Sequence, residues 1–361
     1  MKSEIIAVGS EMLTPVRQDT NSLYLTEKLN EIGVTVAFKT IVGDRQKDLV
    51  SAIRIAMPQN NLKQADVLEG ATLLPNPNGS APGQWLDTTF DNFRKLVMLV
   101  PGPPNECIAM FDAECLPRLR AALPTRFIAK RTLKAAMIPE SQADKLAAPI
   151  YTTYTDVETT ILAKTGDIQL TLLCTKNSLE DAQRRVDELA GKLEEVLEEW
   201  LYSSEGESLE QTVLDYLGFR NATLAVAESC TGGMLAQRIT AVSGSSRSFL
   251  GGAVVYSNEM KTLLAGVDPA LIERHGAVSQ EVARALADGI RQRTGSTIGV
   301  GVTGIAGPTG GTETKPVGLV YIAVSDAQKT DCLERNFRGA RDRIREWTTS
   351  QALDLIRRRL M

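Results

Sequence analysis

Short apolar runs alternate with amphipathic helical patterns along most of this chain, and this alternation is the feature that most constrains its fold. Near the N-terminus, residues 4–8 and 34–42 have the composition of strands, and residues 21–32 and 44–56 have helical spacing. A strand–helix–strand order predicts parallel strands with right-handed crossovers. The same rhythm predicts further strands after residue 208, over 222–228, 249–255, 296–303, 317–325 and 331–338. We therefore predict an α/β protein.

The middle of the chain has a different pattern. Residues 131–137 and 167–174 resemble strands, a charged helix is expected over 178–200, and the polar run YSSEGES (202–208) is typical of a linker. At about 150 residues per domain, a length of 361 residues predicts more than one domain. We predict an α/β domain over 1–124, a small α+β connector over 125–201 and a second α/β domain over 208–361.

Charge and composition exclude several classes of protein. With 40 Lys plus Arg against 44 Asp plus Glu, the net charge of −4 argues against a protein that coats nucleic acid, so no nucleic-acid partner is expected. No run approaches the roughly 18 apolar residues of a membrane span, and the N-terminus lacks the apolar core of a signal peptide. The five cysteines form no CxxC pair, so we expect a cytoplasmic protein with free thiols and no membrane contact.

The chain contains a single histidine, His275. A Ser-His-Asp triad or a histidine-rich metal site would have to use this one residue. We expect His275 to make a structural hydrogen bond, and we expect any hydrolytic chemistry to use another base.

Three segments place reactive or glycine-rich residues directly after predicted strands. In the first, ATLAVAESCTGG (222–233), the hydroxyl of Ser229 follows the strand and Thr231, Gly232 and Gly233 begin a helix. The positive end of a helix binds anions and stabilises oxyanions, although simple helix capping explains the same residues. Cys230, at the same helix start, is an alternative nucleophile because a thiol pKa falls there.

The second segment, YSNEMK, places Tyr256 and Lys261 at a strand-to-helix corner, on the edge of a parallel sheet where ligands bind. A serine nucleophile without histidine needs another base, and a desolvated lysine with a lowered pKa can serve. A solvated helix position is the simpler explanation of Lys261 by itself.

The third segment is the glycine-rich run from residue 301 to residue 311, which suits a phosphate or a flat ring held by backbone amides. It matches neither a Walker A loop nor a GxGxxG fingerprint. Farther along, Arg338, Arg341 and Arg343 could contact a substrate phosphate, although a solvated helix face explains most of that run.

The runs AESCTGG, SGSS, VVYSNEMK, HGAVSQEVA and GVTGIAGPTGGTETKPVGLVY resemble the C-terminal domain of the competence/damage-inducible CinA family over about residues 208–361. That domain is similar to bacterial nicotinamide mononucleotide deamidases, which implies Ser229 as nucleophile with Lys261 and Tyr256 as its activating partners. The resemblance also implies a homodimer and a deamidase without a cofactor. The residues that it implies for nucleotide binding are Thr231, Gly232, Gly233, Ser243, Gly244, Ser245, Ser246, Thr303, Gly304, Gly307, Gly310 and Gly311.

The N-terminal runs EIIAVGSEML, MPQNNLKQA, ATLLPNPNGSAPG and VPGPPNE resemble the family's three-layer molybdopterin-binding-like domain, which is associated with ADP-ribose pyrophosphatase activity. Residues 125–200 resemble its KH-like connector. Asp44, Asn76 and Asn78 are the candidate site residues, with a divalent metal as the implied cofactor. Between Ala56 and MPQNN, however, the family carries several dozen more residues with a central strand and metal-binding aspartates. We therefore expect weak or no pyrophosphatase activity.

Three functions follow as hypotheses. The first is a C-terminal amidohydrolase, with its activity wholly within 208–361, that converts nicotinamide mononucleotide to nicotinate mononucleotide and ammonia. The second is a metal-dependent ADP-ribose pyrophosphatase in the N-terminal domain. The third is a non-catalytic nucleotide-binding accessory protein linked to competence or DNA damage.

Overall fold

The computed structural model describes residues 2–14, 18–56, 67–90 and 93–361. The run MPQNNLKQA lies outside the described residues. The chain divides into two compact units, residues 1–129 with 174–185 and residues 130–173 with 186–361. In the described parts of both units, no helix is long and apolar enough to cross a membrane.

The first unit begins with the predicted strand–helix repeat. Its elements are β1 (Lys2–Val8), α1 (Thr20–Glu31), β2 (Thr35–Val42) and α2 (Gln46–Ala56). β1 and β2 pair in parallel, as the strand–helix–strand order predicts, with Ile6 opposite Thr40. Within the described residues this sheet has two strands, and the side chain of Phe38 on β2 remains 68% exposed.

An antiparallel sheet and a helical segment complete this unit. The sheet contains β3 (Thr72–Leu74), β4 (Gly83–Phe90) and β5 (Phe93–Leu99), and the helical segment contains α3 (Pro104–Met110), a π-helical turn (Phe111–Cys115) and α4 (Leu116–Ala122). The sequence patterns do not predict β4, because its sequence, GQWLDTTF, begins with glycine and contains the polar run DTT, so it has no continuous apolar run.

The connector is an α+β segment with a four-stranded sheet in the order β7-β8-β6-β9. Its elements are β6 (Phe127–Ala136), α5 (Glu140–Tyr151), β7 (Val157–Lys164), β8 (Asp167–Lys176), α6 (Leu179–Leu197) and β9 (Leu201–Ser203). The strands expected at 131–137 and 167–174 are present as β6 and β8. The division of the chain into three domains at 124 and 201 stays a prediction, because much of the connector belongs to the same compact unit as the C-terminal region.

Every strand and helix predicted after residue 208 is present in the C-terminal region. The helices are α7 (Leu209–Phe219), α8 (Met234–Thr240), α9 (Asn258–Ala265), α10 (Pro269–His275), α11 (Gln280–Thr294) and α12 (Arg341–Leu360). The strands are β10 (Leu224–Glu228), β11 (Phe249–Val254), β12 (Ile298–Gly304), β13 (Leu319–Ser325) and β14 (Thr330–Asn336), in the sheet order β11-β10-β12-β13-β14. The predicted α/β class is confirmed.

The C-terminal sheet is buried on both faces, since alternate residues of a strand point to opposite sides. Leu224 and Val226 of β10 join a core with α7, α8 and α12. Ala225 and Ala227 join a second core with α9 and α11. β10 runs parallel to both β11 and β12, so the carboxyl ends of these three strands meet at one edge.

The last helix, α12, contains a buried ion pair whose arginine also binds the connector. Arg357 and Asp354 are 1% and 2% exposed, and their Nη2 and Oδ1 atoms lie 2.8 Å apart. Arg357 Nη1 also donates to the carbonyl of Leu201, at 2.9 Å. Asp354 has a second ion-pair partner, Arg358. Nε of Arg358 lies 2.9 Å from Oδ2 of Asp354, and the side chain of Arg358 is 38% exposed.

We predict that Arg357→Ala destabilises the protein by about 3 kcal/mol, because it removes both donors to Oδ1 of the buried Asp354 carboxylate and the donor to a connector carbonyl. Arg358→Ala should cost about 1 kcal/mol or less, since its guanidinium is partly solvated. Urea unfolding, followed by the fluorescence of the three tryptophans, two of which (Trp200 and Trp347) belong to the same unit as α12, measures both losses. Equal losses for the two variants would contradict the assigned role of the buried pair.

Candidate active site

The candidate site lies where the carboxyl ends of β10, β11 and β12 meet. Glu228, the last residue of β10, stands opposite Val254 of β11 and Val302 of β12. The amide of Ser229 donates to the carbonyl of Val302 at 2.9 Å, and the amide of Val255 donates to the carbonyl of Glu228 at 2.8 Å. The fold therefore brings the ends of the three predicted segments to one sheet edge.

Residues 229–233 form a tight turn, called here the nucleophile turn. The amide of Gly232 donates to the carbonyl of Ser229 at 3.1 Å. Gly232 and Gly233 have φ values of 59° and 91°, in the left-handed region where glycine is favoured. Ser229 is 8% exposed, and its hydroxyl makes no hydrogen bond to another described residue. The hydroxyl is thus available to a ligand.

Glu228 occupies the start of α8. Its side chain is 1% exposed, and its carboxylate accepts hydrogen bonds from the amides of Gly233, Leu235 and Ala236 at 3.1, 3.0 and 2.8 Å. The expectation that this helix end binds a ligand anion is therefore wrong for these three amides. Sequence reasoning missed Glu228, although an acidic residue between an apolar strand and a glycine-rich helix start is a usable signal.

Two other amides remain available beside the nucleophile. Neither the Cys230 nor the Thr231 amide donates to another residue within the described ranges, and they belong to the first and second residues after Ser229. Thr231 is 0% exposed, and its buried Oγ1 atom has no hydrogen-bond partner among the described residues. An amide directly after a nucleophilic serine is the usual donor of an oxyanion hole.

Cys230 does not fit the alternative role of nucleophile. Burial raises the pKa of its thiol to about 12, and the nearby Glu228 carboxylate acts in the same direction. The expected lowering by the helix start is absent because Glu228 occupies that helix end. At neutral pH the thiol is protonated and weakly nucleophilic.

Lys261 is buried, so the simpler explanation of a solvated helix position does not hold. It is 2% exposed, and its Nζ donates to the carbonyls of Val255, Tyr256 and Ser257 at 3.0, 3.4 and 3.5 Å. Burial lowers the pKa of its ammonium group. The structure contains no Ser229–Lys261 hydrogen bond, because all three donors of the ammonium group point to carbonyls.

Tyr256 follows β11 at the same sheet edge, and its side chain is 61% exposed. Its hydroxyl accepts a hydrogen bond from Arg341 Nη2 at 3.1 Å, and Arg341 Nη1 donates to the carbonyl of Gly307 at 2.8 Å. Arg341 therefore links Tyr256 to the loop between β12 and β13. Arg338 and Arg343 are exposed.

The glycine-rich loop (residues 304–318) contains Gly304, Gly307, Gly310 and Gly311 and follows β12 at the same sheet edge. Thr303 precedes it, but Thr303 is 1% exposed and its hydroxyl donates to the carbonyl of Ala277 at 2.7 Å. This hydroxyl stabilises the fold rather than facing the site, contrary to the expected binding role.

His275 ends α10, with its Nδ1 atom 3.6 Å from a carboxylate oxygen of Glu281. Its carbonyl accepts a hydrogen bond from Nζ of Lys315, which belongs to the glycine-rich loop, at 2.9 Å. These contacts agree with the structural role expected for His275.

The SGSS turn lies elsewhere. The amide of Leu224, the first residue of β10, donates to the carbonyl of Ser248 at 2.8 Å, which places the turn at the amino end of that strand. β10 contains five residues, so at about 3.3 Å per residue the turn is about 16 Å from Ser229. Within one copy of the chain, the turn does not join the site as expected. Its residues are Ser243, Gly244, Ser245 and Ser246.

A shallow pocket of about 330 Å³ is lined by residues of α10 and α11, including Arg274 and Asp288. No predicted site residue lines it. The Ser229 site is therefore assigned from its chemistry and its position in the sheet, and not from the size of a cavity.

The N-terminal candidates are occupied by structural contacts. Asp44 accepts a hydrogen bond from the amide of Ser10 at 3.0 Å, and the side-chain amide of Asn76 donates to Glu106 at 2.7 Å. Asn78 donates from its side chain to the carbonyl of Asn105 at 3.1 Å. The described residues contain no cluster of three or more His, Cys, Asp or Glu that could hold a metal ion. These three residues do not fit a divalent metal.

Comparisons with known proteins identify two family models. The model described as "CinA C-terminal domain" matches residues 206–360, and the model described as "Probable molybdopterin binding domain" matches residues 4–68. A crystal structure of competence/damage inducible protein CihA from Agrobacterium tumefaciens is also similar, with 36% identity, a TM-score of 0.40, and coverage of 41% of this chain and 90% of that one.

Two relatives match over their full length. A CinA-like protein from Acidobacterium capsulatum is 56% identical and one from Koribacter versatilis is 50% identical, with 100% of each chain covered. The alignment with the first has 414 positions and this chain has 361 residues, so at least 53 positions have no residue here. This agrees with the expected lack of several dozen residues. From the full-length match to these relatives, the chain belongs to the CinA family.

Proposed function

We propose that the C-terminal region is an amidohydrolase that converts nicotinamide mononucleotide to nicotinate mononucleotide and ammonia, in the recycling of pyridine nucleotides. The observation that carries this proposal is the hydroxyl of Ser229, which has no hydrogen-bond partner among the described residues and precedes the amides of Cys230 and Thr231, neither of which donates to another described residue. A nucleophile with adjacent amide donors is suited to acyl transfer. The choice of nicotinamide mononucleotide as substrate rests on the resemblance of the motifs.

In the proposed reaction, Ser229 Oγ attacks the carboxamide carbon and loses its proton to a base. The amides of Cys230 and Thr231 stabilise the resulting oxyanion, an effect worth about 10²–10³ in rate per donor. The C–N bond then breaks, the nitrogen takes up the proton, and ammonia leaves. A water molecule hydrolyses the acyl-serine ester, which releases the carboxylate product and restores the hydroxyl.

Lys261 is the proposed base, and its carbonyl contacts suit that role. A neutral lysine amine retains two N–H donors and gains a lone pair. Two carbonyl contacts can therefore persist while the weakest, to Ser257 at 3.5 Å, is exchanged for the proton of Ser229. Burial supports this change because it lowers the pKa of Lys261.

Arg341 and the glycine-rich loop are the proposed contacts for the anionic part of the substrate. Arg341 is an exposed cation beside Tyr256. Its guanidinium donates hydrogen bonds to the Tyr256 hydroxyl and to the Gly307 carbonyl. Its guanidinium can add a phosphate contact without a change of position. Tyr256 is then a partner of the substrate-binding arginine, and its predicted contact with Ser229 is not needed in this mechanism.

We predict that Ser229→Ala lowers ammonia release from nicotinamide mononucleotide by about 10³-fold or more, because the acyl-enzyme can no longer form. Ser51→Ala, an exposed serine of α2 in the other unit, is the control and should keep full activity. Retained turnover by Ser229→Ala would refute the assigned nucleophile. Nucleotide binding without turnover by the unmodified chain would instead support the accessory-protein hypothesis.

We predict that kcat rises with pH through the pKa of Lys261. Only the neutral amine accepts a proton, and burial places this pKa below the ordinary value of about 10.4, so the neutral fraction grows at lower pH than for a solvated lysine. Lys261→Arg stays charged and should be nearly as inactive as Lys261→Ala. His275→Ala is the control and should change the pH profile little. An active Lys261→Arg with an inactive His275→Ala would make the imidazole the base.

We predict that the chain releases little or no AMP from ADP-ribose with magnesium or cobalt, since Asp44, Asn76 and Asn78 are held in structural contacts. A coupled assay for AMP, run beside the ammonia assay on the same preparation, measures this. Robust metal-dependent AMP release would show that residues other than these three bind the metal.

A further inference from the structure

Helix α12 reaches the candidate site through two arginines one turn apart, Arg341 and Arg345. Arg345 was not among the predicted site residues. Its Nε and Nη2 atoms both donate to the carbonyl of Thr231, at 3.2 and 2.8 Å. The guanidinium thus contacts the nucleophile turn from a helix 114 positions later in the sequence.

The Thr231 carbonyl is at the centre of the nucleophile turn. It also accepts a hydrogen bond from the amide of Met234 at 3.2 Å, and the next residue, Gly232, donates to the carbonyl of Ser229 at 3.1 Å. Gly232 and Gly233 give the turn its left-handed backbone and also leave it many alternative conformations when unsupported. Contacts from outside the turn must therefore select the observed one.

Three such contacts support the turn. The carbonyl of Val302 on β12 accepts from the amide of Ser229, and the Glu228 carboxylate accepts from the amide of Gly233. Arg345 supplies the third, from α12, through the carbonyl of Thr231.

The carboxylate near Arg345 is a weaker partner for its guanidinium than the Thr231 carbonyl. Its closest carboxylate is Asp342, at 3.6 Å from Nη1, and that side chain is 85% exposed. Such a solvated pair contributes little. The side chain of Arg345 is only 24% exposed, and its two shorter contacts both go to the Thr231 carbonyl.

Helix α12 is itself held firmly beyond Arg345. Oγ of Ser350 donates to the carbonyl of Thr165 at 3.2 Å, and Oγ1 of Thr165 donates to Glu346 at 3.0 Å. Farther along, Arg357 binds the connector through Leu201. Arg345 therefore extends from a fixed helix, and its contact constrains the turn.

We propose that Arg345 is a positioning residue that holds the nucleophile turn, so that Ser229 Oγ and the amides of Cys230 and Thr231 keep a fixed mutual geometry. The inference rests on the proposed hydrolase function of this site. Arg345 acts through the Thr231 carbonyl and does not contact the substrate. Its loss should therefore affect the chemical step, where a displacement of about 1 Å can cost about 10²-fold, more than substrate binding.

The test compares Arg345→Ala and Arg345→Lys with the unmodified chain in the full-length protein. For Arg345→Ala we expect kcat for ammonia release to fall by about 10–100-fold while KM changes by less than about threefold. Lys keeps a cationic donor group but lacks the planar fork of the guanidinium, so it should restore part of the lost kcat. Arg293→Ala, an exposed arginine of α11, is the control and should match the unmodified chain.

A second readout does not depend on the substrate. A fluorophosphonate probe labels an activated serine, and its labelling rate at Ser229 should fall for Arg345→Ala to a similar extent as kcat. If the unmodified chain is labelled but releases no ammonia, the proposed substrate is wrong, and slower labelling of Arg345→Ala still supports the positioning role.

Two results would overturn the inference. A raised KM with unchanged kcat would make Arg345 a substrate contact. Unchanged kcat and unchanged labelling in a folded Arg345→Ala, with folding checked by circular dichroism and by the melting temperature, would show that the turn needs no support from α12.

Discussion

The buried carboxylate of Glu228 is the interaction on which the geometry of the site depends. It joins the last residue of β10 to the first turn of α8 through three backbone amides. A buried charge is costly, but three charge-assisted hydrogen bonds and the positive helix end offset that cost. The residues between these two fixed points are those of the nucleophile turn. Its shape follows from the strand end, the helix start and the left-handed glycines between them.

Lys261 solves the same physical problem with the opposite sign. Glu228 is satisfied by amides at a helix start, whereas Lys261 is satisfied by carbonyls at the end of a strand. In the described structure, each charge is compensated by the backbone and not by the other. The proton affinity of Lys261 can therefore change without breaking an ion pair, which is the property that a general base needs.

The sequence predicts the C-terminal fold well because β10 to β13 are largely apolar runs, such as the one ending at Glu228, and the helices between and around them have a clear helical pattern. β4 and β7 each contain a run of three polar residues, DTT and ETT, and the sequence patterns do not predict them. A local motif also does not indicate which end of a strand it follows in space, so the sequence wrongly predicts that the SGSS turn lies in the same site as Ser229. The Arg345 contact joins residues 114 positions apart, and no local pattern indicates it.

The proposed catalytic groups and the contacts that stabilise them do not lie in the same part of the chain. All the proposed catalytic groups lie after residue 208, as the sequence predicts. The helix that supplies Arg341 and Arg345, however, is buried on its far side by the connector, where Arg357 donates to the Leu201 carbonyl. A fragment that begins at residue 208 would leave that guanidinium and Asp354 without their buried surroundings. The connector thus stabilises α12, the helix that supplies Arg341 and Arg345, although it contributes no group to the chemistry.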